Sequence, residues 1–291
     1  MLDVLRELDV DVREDEVAIA GQMLETPTGT ALRAQLAAAL YDRLHVGGTT
    51  ASPEAPGFSS RLAAAVPHEF TRVSGRVVSR SGADDVVVEI EGVRVRVPAS
   101  RTTARSAGEF VSIDIGCTRP SLAPGFFLVD GSAGHGLVSG DHTLRVYAHL
   151  VEPSTATAAW RAILVSLEQL RVPFRAKISL HLPRRDALVL YLGREAWPCT
   201  TDIVDALTSA PGLGRSVSVY AHQLADGVAA AWDPADVRPG YRGLSFGEHR
   251  SRAIADALLA PGAPEEELAR SLERSNVDAT GIFRNLNSPA L

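Results

Sequence analysis

Lysine is almost missing from this chain. Of its 29 strongly basic residues only Lys177 is a lysine, and the rest are arginines. The imbalance fits a GC-rich coding sequence in which arginine codons displaced lysine codons wherever the protein allowed it. The residue that survives is a candidate for chemistry that arginine cannot do. Arginine stays charged, whereas lysine can release its proton in a suitable site. A lysine acting as general base near neutrality needs a pKa of roughly 7–8, against about 10.4 for the free side chain. Burial or positive neighbours bring about such a fall. The alternative is a chance survivor on the surface.

Other scarcities exclude whole classes. There are only two cysteines, Cys117 and Cys199, and neither stands in a Cys-x-x-Cys or Cys/His cluster. A disulfide framework and a structural zinc site are thereby excluded, and no metal or other cofactor is expected. No apolar run reaches membrane-spanning length. Met1-Leu-Asp-Val-Leu-Arg-Glu-Leu-Asp9 lacks the basic-then-apolar layout of a signal peptide, so a cytoplasmic protein without membrane partners is expected. The net charge of -6 argues against a general nucleic-acid binder. Acids concentrate in Asp3 to Glu16 and Glu265 to Glu267. Arginines are spread along the chain with local pairs, Arg184-Arg185 and Arg250/Arg252, which suits a small anionic group better than a polyanion.

What is present is enough for a core. The chain has 291 residues, 45% apolar and 22% charged, which allows one large domain or two small ones. The expected class is α+β in three segments: N-terminal helices over 1–70, an antiparallel β region over 71–139, and a mixed α/β catalytic region over 140–291. In the first, Leu32, Leu36, Leu40 and Leu44 recur on one helical face between Thr30 and His45, and Arg61 to Val66 reads as a short helix. In the second, Val86, Val88 and Ile90, then Val93, Val95 and Val97, alternate with other residues around a turn at Gly92. That reads as a scaffold sheet with one wet face, or alternatively as an edge that pairs with an extended peptide.

In the third segment, strands are expected at Leu144–Leu150, Phe174–Leu182 and Ala187–Leu192, and an extended stretch at Val217–His222. Helices are expected at Thr155–Leu170 with Ser154 as N-cap, at Thr201–Leu207, and from Ser245 to Leu259.

Period-two alternation then groups side chains. Arg145, Tyr147 and His149 share one strand face. Arg175, Lys177, Ser179 and His181 share another. If the two strands are neighbours, His149 and Lys177 lie together among arginines. Neither face carries an acid, unlike an ordinary solvated strand face. A third element is Tyr241-Arg-Gly-Leu-Ser-Phe-Gly-Glu-His-Arg250. Ser245 and Glu248 have capping-box spacing, and a helix N-terminus flanked by Arg242 and Arg250 suits phosphate. The alternative there is an ordinary capped helix with solvated arginines; His249 reads as a bystander. A lysine base, a histidine acid and phosphate-binding arginines fit β-elimination of phosphate from phosphoserine or phosphothreonine, giving a dehydroamino acid.

The segments Ser121-Leu-Ala-Pro-Gly-Phe-Phe-Leu-Val-Asp-Gly131, Arg145-Val-Tyr-Ala-His149, Val172-Pro-Phe-Arg-Ala-Lys177 and Ser245-Phe-Gly-Glu-His-Arg250 resemble the HopA-type type III effector family. The resemblance covers about two thirds of the chain. It points to an actinobacterial branch associated with class V lanthipeptide and thioamitide biosynthesis. It implies a lyase acting beside a kinase-like protein on a phosphorylated, ribosomally made precursor peptide. A more distant similarity to effector phosphothreonine lyases implies Lys177 as base and His149 as acid, with Arg242 and Arg250 as late arginines. Arg184, Arg185 and Tyr191 are candidates for the intervening phosphate ligands, although their spacing departs from that pattern. Arg145 and Arg175 complete the phosphate-binding set, and Tyr147 is auxiliary. Competing readings are a non-catalytic phosphopeptide-binding partner of a kinase and an effector-like interaction protein.

Overall fold

The computed structural model describes residues 10–13, 16–19, 22–24, 29–48, 52, 54–81, 84–102, 108–119, 122–261 and 264–291. Three short strands come first: β1 (Val10–Arg13), β2 (Glu16–Ile19) and β3 (Gln22–Leu24), forming an antiparallel sheet. Strands therefore replace the expected helix there. Val17 and Ile19 alternate into the core around Ala18, a period-two signal too short to separate from a helical one. Met1 to Asp9, and with them most of the acidic N-terminal stretch, lie outside the described residues.

Helix α1 (Gly29–Leu40) follows, and it buries Leu32, Leu36 and Leu40. At Tyr41 the helix widens into a π-helical turn (Tyr41–Val46) that places Leu44, His45 and Val46 in succession in the interior. The turn closes where the N–H groups of Gly47 and Gly48 both donate to the Asp42 carbonyl at 2.8 Å. Single π turns inside helices are frequent at functional sites. Helix α2 (Phe58–Ala64) completes the first segment.

A four-stranded antiparallel sheet occupies the second segment. It contains β4 (Phe70–Ser81), β5 (Asp85–Ile90), β6 (Val93–Pro98) and β7 (Phe110–Gly116), in the order β6-β5-β4-β7. Its small core is Val77, Val86, Val88, Val97, Val111 and Ile113. Close packing requires Gly75 on β4, because a Cβ there would stand 2.5 Å from a methyl carbon of Val88.

The remaining strands are β8 (Phe126–Asp130), β9 (Leu144–Leu150), β10 (Arg175–Ser179), β11 (Arg184–Leu192), β12 (His222–Ala225) and β13 (Val228–Trp232). They form one antiparallel sheet in the order β12-β13-β9-β11-β10-β8. β8 belongs to this central sheet although it lies within 71–139. The stretch Val217 to Tyr220 is a loop, not a strand.

Helices α3 (Pro153–Leu170), α4 (Thr200–Thr208), α5 (Phe246–Leu258) and α6 (Pro264–Arg274) complete the chain. α3 begins with Pro153 after Glu152, so Ser154 is inside the helix, not its cap. Proline suits that first position because its missing N–H has no partner there anyway. Trp160, Ile163, Leu164 and Leu167 of α3 pack with Val146, Ala148, Ala176, Ile178, Leu188 and Leu190 on one sheet face. Each such buried side chain contributes about 1.5–3 kcal/mol of apolar burial. The other face, bearing Tyr147 and Val189, packs against Leu36, Leu40, Leu44 and Phe246 from α1, the π turn and α5. Among the described residues no helix is long and apolar enough to cross a membrane.

Candidate functional site

Lys177 lies on the face of the central sheet that meets the π turn. β11 stands between β9 and β10, so the two strands expected to be neighbours are not. Their polar faces nevertheless align. Cα partners run Tyr147, Val189, Lys177 and Leu128 across one row, and Arg145, Tyr191, Arg175 and Asp130 across the next. With strands about 4.8 Å apart and two residues spanning about 6.7 Å, the Cα atoms of His149 and Lys177 stand ~12 Å apart. Two long side chains reaching toward one substrate can bridge that distance.

The two faces carry no acid in their own sequence, and the fold brings carboxylates to most of their cations. Arg145 pairs with Asp233, and its guanidinium lies 4.8 Å from the Tyr191 ring. Arg175 binds Asp130 through two hydrogen bonds of 2.6 and 3.1 Å. Arg184 grips Asp186 in the same bidentate manner, at 2.8 and 3.0 Å. Lys177 is half-buried and makes no ion pair among the described residues; its Nζ lies 4.1 Å from the Phe126 ring centre and 5.8 Å from that of Tyr191. Arg184 lies 5.6 Å from the same Phe126 ring.

Arg185 is the second cation without a carboxylate. Its Nε donates to the Ser216 hydroxyl at 3.3 Å and one Nη to the Arg43 carbonyl at 3.4 Å, both long contacts. Burial pushes its pKa below the ordinary arginine value, with no offsetting anion. Strict alternation would send Arg185 to the opposite face from Arg184 and Asp186. A register shift between Arg184 and Leu188 on β11 breaks that alternation. Bulges re-aim side chains in this way, and here Arg184, Arg185 and Asp186 all meet the π-turn side.

His149 stands beside Arg185. Its Nδ1–H donates to the Ser216 carbonyl at 3.1 Å, which leaves Nε2 to face a ligand. Burial lowers its pKa, the Ser216 carbonyl opposes that, and Arg185 adds to the lowering. The loop passes this close because residue 214 is glycine: a Cβ there would sit 2.3 Å from His149 Nδ1.

Sequence reasoning missed the network behind these groups. Asp186 also accepts from the Tyr41 hydroxyl at 3.3 Å, and His45 Nε2 faces it at 3.7 Å. The Ser218 hydroxyl meets His45 Nδ1 at 2.7 Å. Ser218, His45 and Asp186 thus stand in the order of a nucleophile, base and acid. Ser218 and His45 are only 2% and 3% exposed, however, so no acyl substrate reaches them. Tyr41, Tyr147, Tyr220 and Phe246 surround the His45 ring. Burial, foremost, pushes the His45 pKa down to about 4 against the pull of Asp186, so the ring is neutral at pH 7. Burial would raise the Asp186 pKa, but His45 when charged, the hydrogen bonds and charge of Arg184, and the charge of Lys177 together hold it below the ordinary value. The group ties the β11 bulge to the π turn and the 216–220 loop. Only the acid that directly follows the Pro183-Arg-Arg run, Asp186, hinted at it.

The α5 end contributes no open arginine fork. Ser245 caps the helix, and Glu248 accepts from its backbone N–H at 2.8 Å, so a carboxylate already occupies this N-terminus. Arg242 is exposed at the preceding turn. Arg250 is fully buried, and donates to the Ile282 carbonyl at 2.7 Å and to Asn285 at 3.0 Å. It anchors the C-terminal segment. His249 is buried beside it and donates to Asp236 at 3.1 Å.

Residues 117–284 match the sequence model of the HopA1 effector protein family. The chain belongs to that family. Two solved structures share its fold. The effector protein from Pseudomonas syringae pv. tomato strain DC3000 aligns with a TM-score of 0.52 at 16% identity, over 90% of this chain and 92% of its own. The effector protein from Pseudomonas syringae pv. syringae strain 61 aligns with a TM-score of 0.50 at 13% identity, over 89% of this chain and 90% of its own. Among curated proteins no sequence matches the chain. The HopA1 match includes Lys177, His149, Arg185 and Asp186, whereas Tyr41 and His45 lie outside it.

Proposed function

We propose that this HopA1-family chain is a lyase that β-eliminates phosphate from phosphoserine or phosphothreonine in a ribosomally made precursor peptide, leaving dehydroalanine or dehydrobutyrine. One observation carries the reading. On a surface where Arg145, Arg175 and Arg184 are each paired with a carboxylate, the single lysine and Arg185 are left without one among the described residues, and a histidine stands at Arg185 with Nε2 free.

In this reading Lys177, as the free amine, takes the Cα proton. The electron pair of that C–H bond becomes the Cα=Cβ bond, and the Cβ–O bond breaks. His149 as imidazolium gives its proton to the departing phosphate oxygen through Nε2. Arg185 holds the phosphate, with Arg184 beside it and the field of Arg145 and Arg175 behind. A bound dianion next to His149 favours its protonated form and so offsets the lowering that burial causes. Tyr191 stands beside Lys177, and Tyr147 supports the row from the buried core. Arg250, buried inside α5 and bound to Ile282 and Asn285, serves only to hold that helix and the C-terminal segment in place. The peptide would arrive phosphorylated by a kinase-like partner, in the manner of the actinobacterial branch that the quoted segments resemble.

The test is single-turnover mass spectrometry on a synthetic phosphoserine or phosphothreonine peptide without kinase. Wild type should release phosphoric acid. Lys177→Arg should keep the fold and the positive charge but lose at least about a thousandfold in rate. An active Lys177→Arg protein would end the general-base assignment. Tight, equal peptide binding by both with no loss of phosphate would favour a non-catalytic phosphopeptide-binding partner of a kinase.

A further inference from the structure

Among the described residues, the four-stranded sheet of residues 70–116 ends in an open edge. β6 pairs with β5 on one side, from Ile90↔Val93 to Asp85↔Pro98, and is the outermost strand on the other. Four successive residues of it, Val93 to Arg96, are exposed. Val93 and Val95 are 62% and 39% exposed although they share the face of Val97, Val88 and Val77, the sheet's core. The apolar face of this sheet therefore runs out uncovered at β6. Arg94 and Arg96 occupy the opposite face. Arg94 reaches only a shared carboxylate, Glu89 at 3.5 Å, which also faces Arg76 at 3.7 Å. Arg96 has no ion pair among the described residues. That face thus carries Arg76, Arg94 and Arg96 against Glu89 and Asp85, with the two β6 arginines exposed at the edge.

We infer that β6 is a docking edge for an extended peptide in which acidic and apolar residues alternate. A strand added to β6 would satisfy its outer backbone groups. Strand geometry sends the added side chains alternately to the two faces. Those on one face meet Val93 and Val95, and those on the other meet Arg94 and Arg96. Cross-strand pairs of either kind stabilise an added strand only where opposite side chains meet, so recognition needs the alternation and not merely the composition. The inference does not depend on Lys177. Arginines on an edge can also serve only to shield it from pairing, and the experiment separates the two.

The probe is a fluorescein-labelled peptide Glu-Leu-Glu-Val-Asp-Val, followed by fluorescence anisotropy against the full chain. A peptide of the same composition in block order, Glu-Glu-Asp-Leu-Val-Val, is the control. The alternating peptide should bind at least tenfold more tightly, and Arg94→Glu with Arg96→Glu should weaken it at least tenfold while circular dichroism stays unchanged. N-methylation of alternate residues should abolish binding in one register and spare it in the other. Equal binding of the two peptides, or no effect of charge reversal, would overturn the inference in favour of a shielded edge. Concentration-dependent dimers in analytical ultracentrifugation that the double variant abolishes would overturn it in favour of a second copy of this chain.

Discussion

Two histidine–arginine clusters stand in this chain with nearly the same residue types and opposite circumstances. At His249 and Arg250 every side-chain nitrogen has a protein partner: Arg250 meets Ile282, Asn285 and His249, and His249 meets Asp236. Burial pushes Arg250 down to about 9 and His249 to about 4. At His149 and Arg185 the contacts are long, no carboxylate is close enough to pair, and the histidine keeps one nitrogen free. The first cluster holds the protein together, and the second, in the function proposed above, holds the substrate phosphate. Residue type alone does not distinguish them; what their donors already touch does.

The pair of substitutions Arg250→Ala and Arg185→Ala sharpens this contrast most. Arg250→Ala leaves a cavity and an unmatched carbonyl and amide in the interior. It should lower unfolding free energy by about 3–5 kcal/mol in a denaturant titration. Arg185→Ala should change stability by no more than about 0.5 kcal/mol and reduce kcat/KM on a phosphopeptide by about 10–100-fold. A stable Arg250→Ala protein with lost turnover would reverse the two assignments.

A somewhat smaller effect concerns the buried histidines. His45 and His249 both have folded pKa values of about 4, against about 6.5 in an unfolded chain. The unfolded state therefore binds more protons between those values. The stability that neutral burial confers is complete above about pH 6.5 and is lost as pH falls toward 4, by about 3 kcal/mol for each ring. Thermal unfolding at steps from pH 7 to pH 4 should show Tm falling through that window, and His45→Gln should flatten the fall. An unchanged slope would mean that His45 is not neutral in the folded protein.

How much of this was legible in the sequence follows from the range of the forces involved. Strand alternation assigned Arg145, Tyr147, Arg175 and Lys177 to one face, and the leucines of α1 to another, because both depend on local geometry. The strand Leu144–Leu150 has the expected limits for the same reason. The sequence could not show that β11 intervenes between β9 and β10, since strand order is set by long-range pairing. Nor could it show that Asp130 and Asp233 come to neutralise Arg175 and Arg145 on faces with no acid of their own. Arg250 looked like a phosphate ligand because its carbonyl partner, Ile282, has no side-chain signature. His45 passed as the last residue of an amphipathic helix, and only the π turn reveals that it faces Asp186. The helix α6 was overlooked because its first turn, Glu265 to Glu267, read as an acidic run.

The finest distinction between the two clusters is made by a glycine. Gly214 touches His149 so closely that any Cβ would overlap its ring at 2.3 Å, while the Gly214 N–H donates to the His149 carbonyl at 2.8 Å. Gly214→Ala must therefore rotate the imidazole or lift the loop by more than an ångström. Either change breaks the Nδ1–H bond to Ser216 that aims Nε2. The expected loss in kcat/KM is about tenfold, since the acid remains present but misdirected. A pH profile identifies the cause. In wild type, the limb of kcat/KM that falls as pH rises, set by loss of the imidazolium proton, should break below about 6.5, because burial and Arg185 disfavour the imidazolium. In Gly214→Ala the Ser216 carbonyl no longer supports that imidazolium but the burial is relieved. The break should consequently move, and in His149→Gln it should vanish. A Gly214→Ala protein that loses rate with that high-pH limb unmoved would assign the loss to loop packing, and would leave His149 without the positioning that separates its cluster from that of His249.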